Sequence, residues 1–303
     1  MNQGYVFVRV DPRTDESLLE IGTVDTRPER VPGGVPPGDV PHVVYEAAVP
    51  DREEAETFLR SVLAAYPVDG DNARYRVPAE TAVTLVRGAV EQLQRLAVFR
   101  RAVAMEPENA VALNNLGCGL DRIGDHAGAI EAFKRAVALE GDNALFFANL
   151  GCNYGKLGLY RKAIEAFRSA IRIRPDFLKA HFDMGFSYGR LGNHAKAVEA
   201  FQRAIAINPN VAQIHYHLGH AYARMGSRRE AVKSLATATR VNPNHANAHF
   251  RLGLLHLRAH NREGALKAYR ILRSLDENKA RRLFRGIYRR YGQGASAARA
   301  ATS

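Results

Sequence analysis

The 303-residue sequence has no tryptophan and only two cysteines, Cys118 and Cys152. Two cysteines cannot build a disulfide framework, and so few are typical of proteins in a reducing compartment. No run of about 18 apolar residues is present, which argues against a membrane-spanning helix. The first residues, MNQGYVFVRV, lack the apolar segment of a secretory signal. We therefore expect a cytoplasmic protein without membrane contact.

Charge is distributed unevenly along the chain, whose formal net charge is +12. Residues 1–75 contain 14 acidic and 7 basic side chains, for a net charge of −7, and the remainder carries +19. This asymmetry predicts two regions with different partners, or two regions that attract each other. The basic region is compatible with acidic peptides or nucleic acid, and equally with a surface that only confers solubility.

A segment that begins with Leu-Gly or Met-Gly recurs five times at a constant step, starting at positions 116, 150, 184, 218 and 252. A second apolar segment follows each one, starting at 129, 163, 197, 231 and 265. Pro175, Pro209 and Pro243 keep the same step and are expected to stop the second helix. One helical hairpin cannot bury its apolar face, so the constant period predicts an array of stacked hairpins.

Two sets of glycines recur with the same step. The first set is expected in the middle of helices, where glycine costs about 1 kcal/mol relative to alanine, and consists of Gly117, Gly151, Gly185, Gly219 and Gly253. We expect the paired helix to approach them closely at Ala129, Ala163, Ala197, Ala231 and Ala265. Phe133, Phe167, Phe201, Leu235 and Tyr269 are expected to fill the space between helices. The second set, Gly124, Gly158, Gly192 and Gly226, is expected to end the first helices.

This pattern of Leu-Gly, Tyr, Gly, Ala, Phe, Ala and Pro resembles the tetratricopeptide repeat (TPR) family. The resemblance implies a mainly α protein, with a right-handed α-solenoid of TPR hairpins behind a small N-terminal α+β domain (1–78). A linking helix and divergent half-repeat (79–109) precede five TPR units (110–277). A C-terminal capping helix (278–291) and a disordered tail (292–303) follow. The family's usual tryptophan is replaced by Leu113, Phe147, His181, His215 and His249.

Tetratricopeptide arrays usually bind extended peptides on a concave face, which is lined by the first helix of each hairpin. The resemblance places a mixture of amides, aromatic rings and bases on this face: Asn114, Asn115, Asn149, Lys156, Phe182, Arg190, Tyr216, His217, Arg224, Phe250, Arg251 and Arg258. Asparagines can bind peptide backbone, aromatic rings supply apolar contact, and arginines bind carboxylates. A partly acidic peptide is one interpretation, and solvated bases at a surface position are the other.

Two more specific site types are not expected. In the family's clamp for a C-terminal carboxylate, Asn114 and Cys118 would stand at the first Lys/Asn pair, so the first lysine is missing, and Asp183 stands where an arginine is needed. His215, His217 and His220 suggest a metal, but His181, His215 and His249 recur once per repeat and so replace a packing residue. There is no CxxC or Cys/His cluster, so we expect neither metal nor cofactor.

The N-terminal region predicts a small α+β unit. Strands are expected at 4–10, 17–24 and 43–49. An amphipathic helix is expected at 51–66, where Asp51 would cap its N-terminus. Residues 74–78 lead into a long helix. The strings GYVFVRV and EIG, with the following TRPER and RVP, resemble the GIY-YIG endonuclease domain over about 4–90.

The resemblance implies a nuclease site from which the reactive groups are mostly missing. Phe7 and Glu20 take the two tyrosine positions, Ala73 takes the metal-binding glutamate position, and Arg60 stands where a histidine is common. Only Arg30 matches, and Pro32-Gly33-Gly34 cut its helix short. We therefore expect no catalysis; any residual activity would be that of a metal-dependent endonuclease.

The resulting hypothesis is a non-catalytic scaffold or adaptor for protein–protein interaction, which binds an extended peptide in the TPR groove. The alternative is a nucleic-acid-binding protein, or a residual GIY-YIG nuclease whose TPR array recruits partners. The partner's identity and the oligomeric state are left open.

Overall fold

The computed structural model describes residues 3–10, 18–25, 42–66 and 74–291. The chain divides into two compact units, residues 1–141 and residues 142–303. The predicted fold class is confirmed: the chain is mainly helical, a TPR-like array of helices preceded by a small region with an antiparallel sheet. Within the described residues, no helix has the length and apolar character needed to cross a membrane.

The first unit begins with an α+β region. Its strands are β1 (Gly4–Val10), β2 (Leu18–Val24), β3 (His42–Val49) and β4 (Arg74–Arg76), and helix α1 is Arg52–Val62. Three strands and α1 match the predicted segments, and the Asp51 side chain caps α1 by accepting from the Glu54 amide at 3.1 Å. Strand β4 was not predicted, because three residues are too few to show alternation.

The four strands form an antiparallel sheet in the order β3-β1-β2-β4. Alternation directs one set of side chains, including Val6, Val8 and Ile21, into a core shared with α1 and α2 (Ala79–Met105). The opposite face carries Arg9 and Glu20, which are paired in register across β1 and β2.

The same unit continues with α2, α3 (Ala110–Arg122) and α4 (His126–Leu139). Helix α2 has buried residues from Ala82 to Leu96, so it packs on the sheet along its first half. Arg100 of α2 binds Glu54 of α1 through two hydrogen bonds of 2.7 and 2.8 Å. This bidentate pair raises the pKa of the Arg100 guanidinium and ties the two helices together.

The second unit consists of four hairpins and a final helix. The helices are α5 (Ala144–Lys156), α6 (Tyr160–Ile173), α7 (Leu178–Arg190), α8 (His194–Ile207), α9 (Ala212–Arg224), α10 (Arg228–Val241), α11 (Ala246–Arg258), α12 (Arg262–Leu275) and α13 (Glu277–Tyr291). Each odd-numbered helix from α5 to α11 pairs with the next one. Helix α13 buries Leu283 and Ile287 against α11 and α12, which closes the apolar end of the last hairpin.

The mid-helix glycines are approached closely, as predicted, and the nearest atoms belong to larger side chains than the predicted alanines. A Cβ added to Gly151 would lie 2.7 Å from the ring of Phe167. A Cβ added to Gly185 would lie at the same distance from the ring of Phe201. Ala163, the predicted neighbour of Gly151, lies one turn before Phe167 on α6. At Gly151 and Gly185 the nearest atoms belong to the ring, because a large ring reaches across to the glycine. At Gly219 the backbone oxygen of the predicted Ala231 lies 3.1 Å from the added Cβ, beside Leu235 at 2.7 Å.

The second set of glycines ends the first helices, as predicted. Gly158, Gly192 and Gly226 have φ angles of 74°, 78° and 83°, in the left-handed region. In the last hairpin, His260 takes the equivalent position with a φ angle of 57°. Glycine is favoured at the other positions because this backbone region strains residues that have a Cβ.

Three histidines stand at the position of the family's tryptophan, and each makes the same hydrogen bond. His181 Nε2 lies 2.8 Å from the Pro175 carbonyl oxygen, and the pairs His215–Pro209 and His249–Pro243 have the same distance. All three histidines are buried. The imidazole thus donates to the carbonyl of the proline that ends the preceding repeat. This geometry confirms the packing role predicted for these histidines.

Candidate functional site

The predicted groove residues all lie on the first helices of hairpins. The second unit holds Asn149 and Lys156 on α5, Phe182 and Arg190 on α7, Tyr216, His217 and Arg224 on α9, and Phe250, Arg251 and Arg258 on α11. The constant repeat period places them at equivalent positions of successive helices. Asn114, which is buried, and Asn115, which is exposed, lie on α3 in the first unit.

Four of the predicted residues line one pocket in the second unit. Arg190, Tyr216, His217 and Arg251 surround a cavity of about 200 Å³, formed by α7, α8, α9 and α11. Phe186, His194, Phe201 and His220 also line it. We call this cavity the histidine pocket. It is large enough for one side chain of a bound molecule.

His217 is held in an aromatic environment at the base of the pocket. Its ring centroid lies 5.4 Å from that of Phe182 and 5.7 Å from that of Phe186, both in edge-to-face geometry. The Phe201 ring lies nearly parallel to it at 5.9 Å. Because Phe201 is the ring that packs on Gly185, the glycine that lets α7 and α8 approach also sets one wall of the pocket.

The two arginines are oriented by aromatic side chains. Arg251 Nε donates to the hydroxyl of Tyr216 at 3.0 Å, and the Arg251 guanidinium carbon lies 5.6 Å from the Tyr216 ring centroid. The Arg190 guanidinium carbon lies 5.4 Å from the ring centroid of Tyr160. Such contacts between cations and rings hold a side chain in place without neutralising its charge. Among the described residues, no carboxylate forms an ion pair with Arg190 or Arg251.

His217 and His220 are neutral at pH 7. Burial, together with the charges of His220, Arg251 and His245, lowers the pKa of His217 to about 4. Burial also lowers the pKa of His220 to about 4, with contributions from Arg251, Arg224 and His194. The charged neighbours of His217 and His220 are arginines and other histidines, which carry either a positive charge or none. The electrostatic potential in the pocket is therefore positive.

A smaller cavity of about 80 Å³ continues from the pocket between α9 and α11. His220 and Arg251 line both cavities, and Arg258 joins the second one. Arg258 is exposed at the last turn of α11. The predicted bases are therefore distributed: Arg190 lines the main pocket, Arg258 lines the smaller one, Arg251 lines both, and Arg224 acts on His220 through its charge.

Phe250 lies outside the histidine pocket. The Arg282 guanidinium carbon of α13 lies 5.3 Å from its ring centroid, and the ring packs with the apolar cluster of the last hairpin. Lys156 is exposed at the end of α5, and Asn149 is half-buried. Neither lines the pocket.

The single cysteine of the second unit lies beside an ion pair. Cys152 Sγ is 3.0 Å from Lys179 Nζ and 3.3 Å from Asp183 Oδ2, and Lys179 Nζ is 2.5 Å from the same carboxylate oxygen. Burial and the Asp183 charge raise the pKa of the Cys152 thiol to about 11, so it is protonated at pH 7. Lys179 is engaged by Asp183, so this lysine does not form the open carboxylate clamp of the family.

The histidines are not arranged as metal ligands. The described residues contain no group of three His, Cys, Asp or Glu side chains that could hold a metal ion. His215 is turned toward the Pro209 carbonyl, away from a shared site with His217 and His220. His217 Nε2 lies 2.9 Å from the Gln213 amide nitrogen, which makes this ring nitrogen the acceptor.

Three of the nuclease positions can be located in the first unit. Glu20 pairs with Arg9 at 3.2 Å, and Phe7 lies on the same sheet face, opposite Gly22. Arg60 pairs with Glu56 on α1 at 2.7 Å. The structure does not bring Arg60 to Glu20. Arg30, Ala73 and the Pro32-Gly33-Gly34 break lie outside the described residues.

Sequence reasoning identified four of the twelve residues that line the pocket. Phe186 and His220 lie one turn after the predicted Phe182 and Tyr216 on the same helices, but they are not among the predicted groove residues. His194 was missed, because it begins a second helix and the groove was sought on first helices only. Its signal was the repeat position that it shares with Tyr160 and Arg228.

Comparisons with known proteins agree with the hairpin architecture. Models described as tetratricopeptide repeat match residues 96–144, 145–177 and 216–280, and one described as TPR repeat matches 188–226. The matched residues lie between 96 and 280, so the nuclease resemblance of the N-terminal region stays a prediction. No curated protein matches the chain in sequence.

Solved structures of similar fold cover more than half of the chain. The crystal structure of MamA is 27% identical with a TM-score of 0.52, over 55% of this chain and 97% of MamA. YrrB, described as a TPR protein with an unusual peptide-binding site, is 23% identical with a TM-score of 0.53, over 62% and 97%. The Cut9–Hcn1 structure of the APC/C is 21% identical with a TM-score of 0.53, over 69% and 42%. The chain is a tetratricopeptide-repeat protein.

Proposed function

We propose that this protein is a non-catalytic scaffold that binds an extended peptide segment of a partner protein along the first helices of its repeats. The observation that carries the proposal is the histidine pocket, in which aromatic rings and arginines from successive repeats meet at one opening. A peptide can place one side chain there while its backbone runs across neighbouring helices. We also propose that the protein acts in the cytoplasm.

The chemistry of this surface suits a peptide better than a small metabolite. The pocket opens on the helices that tetratricopeptide arrays use for peptides, and it lies next to an exposed ring, Phe186, which is 42% exposed. Rigid aromatic side chains give contact area at a low entropic cost. Tyr216 is held by Arg251, so its position is set before a peptide binds.

The proposal can be tested with a random library of displayed short peptides selected on the full chain. We expect enrichment of a defined motif. The affinity of an enriched peptide should fall at least tenfold in a Phe182→Ala/Tyr216→Ala/Phe250→Ala variant, because apolar anchors dominate peptide affinity. Tyr288→Ala is the matched control: it removes an aromatic ring that is 65% exposed on α13, and affinity should stay within twofold.

Two results would contradict the scaffold proposal. One is a selection that enriches no motif. The other is equal affinity for the wild type and the triple variant, with circular dichroism showing that the variant is folded. Equal losses in the triple variant and in Tyr288→Ala would place the peptide elsewhere on the molecule.

For the N-terminal region, we propose a GIY-YIG-like domain that has lost nuclease activity. Two described positions support this: Phe7 has no hydroxyl, and Glu20 is engaged by Arg9. The chemistry of the family needs a phenol and a metal-binding carboxylate. Cleavage of DNA by the purified protein with Mg²⁺ or Mn²⁺, abolished by Arg30→Ala, would show that the activity persists.

Nucleic-acid binding by the basic region is the second candidate. The net charge of +19 over residues 76–303 favours it, as do the arginines of α7 and α11 that lack ion pairs in the described structure. Phosphate contacts release counterions, so affinity for a single-stranded oligonucleotide should fall steeply between about 50 and 200 mM salt. Salt-independent binding, or none at low salt, would remove this candidate.

A further inference from the structure

Side chains from four helices bring five positive or protonatable groups to the histidine pocket. Arg190 comes from α7, His194 from α8, His217 and His220 from α9, and Arg251 from α11. In the part of the chain that the structure describes, no acidic residue lines this pocket. Grouping cations around a half-buried cavity is unfavourable unless an anion joins them.

The repeat does not require this grouping. The positions equivalent to His220 in the neighbouring repeats are Phe186 and Leu254, and those equivalent to His217 are Asp183 and Arg251. His217 and His220 therefore stand at positions that vary from one repeat to the next, whereas the position of Arg190 is basic in each repeat and the packing residues recur. A charge arrangement that the fold does not need points to a ligand.

We propose that the histidine pocket is the subsite for the carboxylate of an acidic side chain of the bound peptide, which lies between Arg190, His220 and Arg251. This rests on the proposed peptide-binding function and names the residue type that the pocket selects. Glutamate or aspartate from a partner protein is the ligand class.

The geometry leaves donors available for such a carboxylate. Arg251 uses Nε to bind Tyr216, and within the described residues no bond to its terminal nitrogens is found. An arginine held through Nε presents its two terminal NH2 groups to an incoming anion, which is the arrangement that favours strong charge-assisted hydrogen bonds. The exposed ring of Phe186 can contact the methylene groups of the same side chain.

Binding of a carboxylate should be linked to proton uptake. The anion would favour the imidazolium form of His220, so the affinity should rise as the pH falls from 7.5 to 5.5, while a glutamate with an ordinary pKa of about 4.3 stays ionised. The groups that face His217 and His220 from the packed elements are Arg190 on α7, His194 on α8, Arg224 on α9, Arg251 on α11, and His245, which precedes α11. Asp183 of α7 is engaged by Lys179.

The test uses the full chain labelled at its histidines and followed by nuclear magnetic resonance. The probe is N-acetyl-glutamate N-methylamide, and the uncharged control is N-acetyl-glutamine N-methylamide, which has nearly the same shape. We expect saturable shifts of the His217 and His220 signals with the glutamate probe, and at least tenfold weaker binding of the glutamine probe. We also expect the pKa of His220 to rise by about two units from its value of about 4 in the free protein, and the affinity for the glutamate probe to be about fourfold higher at pH 5.5 than at pH 7.5.

Variants then locate the carboxylate. Arg251→Gln is expected to lower the affinity for the glutamate probe at least tenfold and to abolish the shift of the His220 signal. Arg203→Gln removes an exposed arginine of α8 outside the pocket lining, and the affinity should stay within twofold. Equal losses in both variants would show that only the net charge matters, and would overturn the proposal.

Other outcomes would also overturn it. Equal shifts with the glutamate and glutamine probes, or no saturable shift at His217 and His220, would show that the pocket does not select a carboxylate. Inorganic phosphate is a further probe. If it binds to the pocket at least tenfold more tightly than the glutamate probe, the ligand of the pocket is a phosphate group of nucleic acid and the carboxylate proposal is wrong. If the peptide library yields a motif without an acidic residue, the scaffold proposal stands and the subsite proposal fails.

Discussion

The interior of the hairpins and the histidine pocket follow opposite rules. In the interior, the same contact recurs from one repeat to the next: Gly151 meets Phe167 as Gly185 meets Phe201, and three histidines bind three proline carbonyls. In the pocket, no equivalent of His220 recurs in the neighbouring repeats. Constant positions therefore maintain the stacking of helices, and the varied positions are free to specify a ligand.

This difference separates stability from binding at the level of single residues. A substitution in the interior should change the free energy of unfolding and affect binding only through folding. A substitution in the pocket should change binding with little change in stability at pH 7. The three predictions below test the comparison in order of decreasing effect.

The largest effect is expected from two glycines of the same helix. Gly151→Ala should destabilise the protein by about 2 kcal/mol, because the new methyl group would lie 2.7 Å from Phe167 in a packed interior. Gly155→Ala, four residues later on α5, has no atom within 4 Å of the new Cβ and should stabilise the protein by about 0.5–1 kcal/mol.

Urea denaturation of both variants checks the prediction. Opposite signs would confirm that the interior glycine is required by the neighbouring ring. Equal changes in the free energy of unfolding would mean that helix propensity alone governs both positions.

The pocket should make stability depend on pH. In the unfolded chain His217 and His220 take up protons near pH 6.5, whereas in the folded protein their pKa values are about 4. The unfolded state therefore binds more protons between pH 6.5 and 4. Stability is present in full above pH 6.5 and declines below it, by about 1–2 kcal/mol between pH 7.5 and 5, after a reduction for solvent screening.

Thermal unfolding of the wild type and a His217→Gln/His220→Gln variant at several pH values measures this dependence. The stability of the variant should fall much less between pH 7.5 and 5 than that of the wild type. Some fall should remain, because burial also lowers the pKa values of His245 and His256. Identical pH profiles for the two proteins would show that these histidines are not buried in neutral form.

A smaller effect is expected where a histidine binds a proline carbonyl. His249→Leu should cost about 1 kcal/mol, because leucine fills the space, as Leu113 does in the first repeat, but leaves the Pro243 carbonyl without its donor. His256→Leu on the same helix is the control. The His256 side chain is half-buried and forms no hydrogen bond within the described residues, so the substitution should cost under about 0.5 kcal/mol. Chemical denaturation compares the two, and an equal cost would assign the effect to volume rather than to the bond.

The helices were predictable from the sequence, because a constant repeat period and the alternation of apolar segments depend on local chain geometry. The glycine contacts were predictable only in part. Ala163 and Phe167 lie one turn apart on the same face of α6, so spacing alone cannot decide which of them meets Gly151. The side chain that is large enough to reach across decides it.

The pocket was less accessible to sequence reasoning, since its members are distant along the chain. His194 and His220 belong to different helices of different repeats, and their proximity depends on how α8 packs on α9. Arg251 was predicted on the groove face, but its hydrogen bond with Tyr216, which belongs to the preceding repeat, arises only after the repeats are stacked.

The histidine–proline bond has a consequence for how such a chain can change in length. Each bond joins residues only six positions apart, across the boundary between one repeat and the next. Deletion of one whole repeat from this stretch would bring the next histidine beside an equivalent proline, and duplication would do the same. Gene rearrangements that add or remove whole repeats therefore leave no buried carbonyl without its donor, and the length of the array can evolve in whole steps.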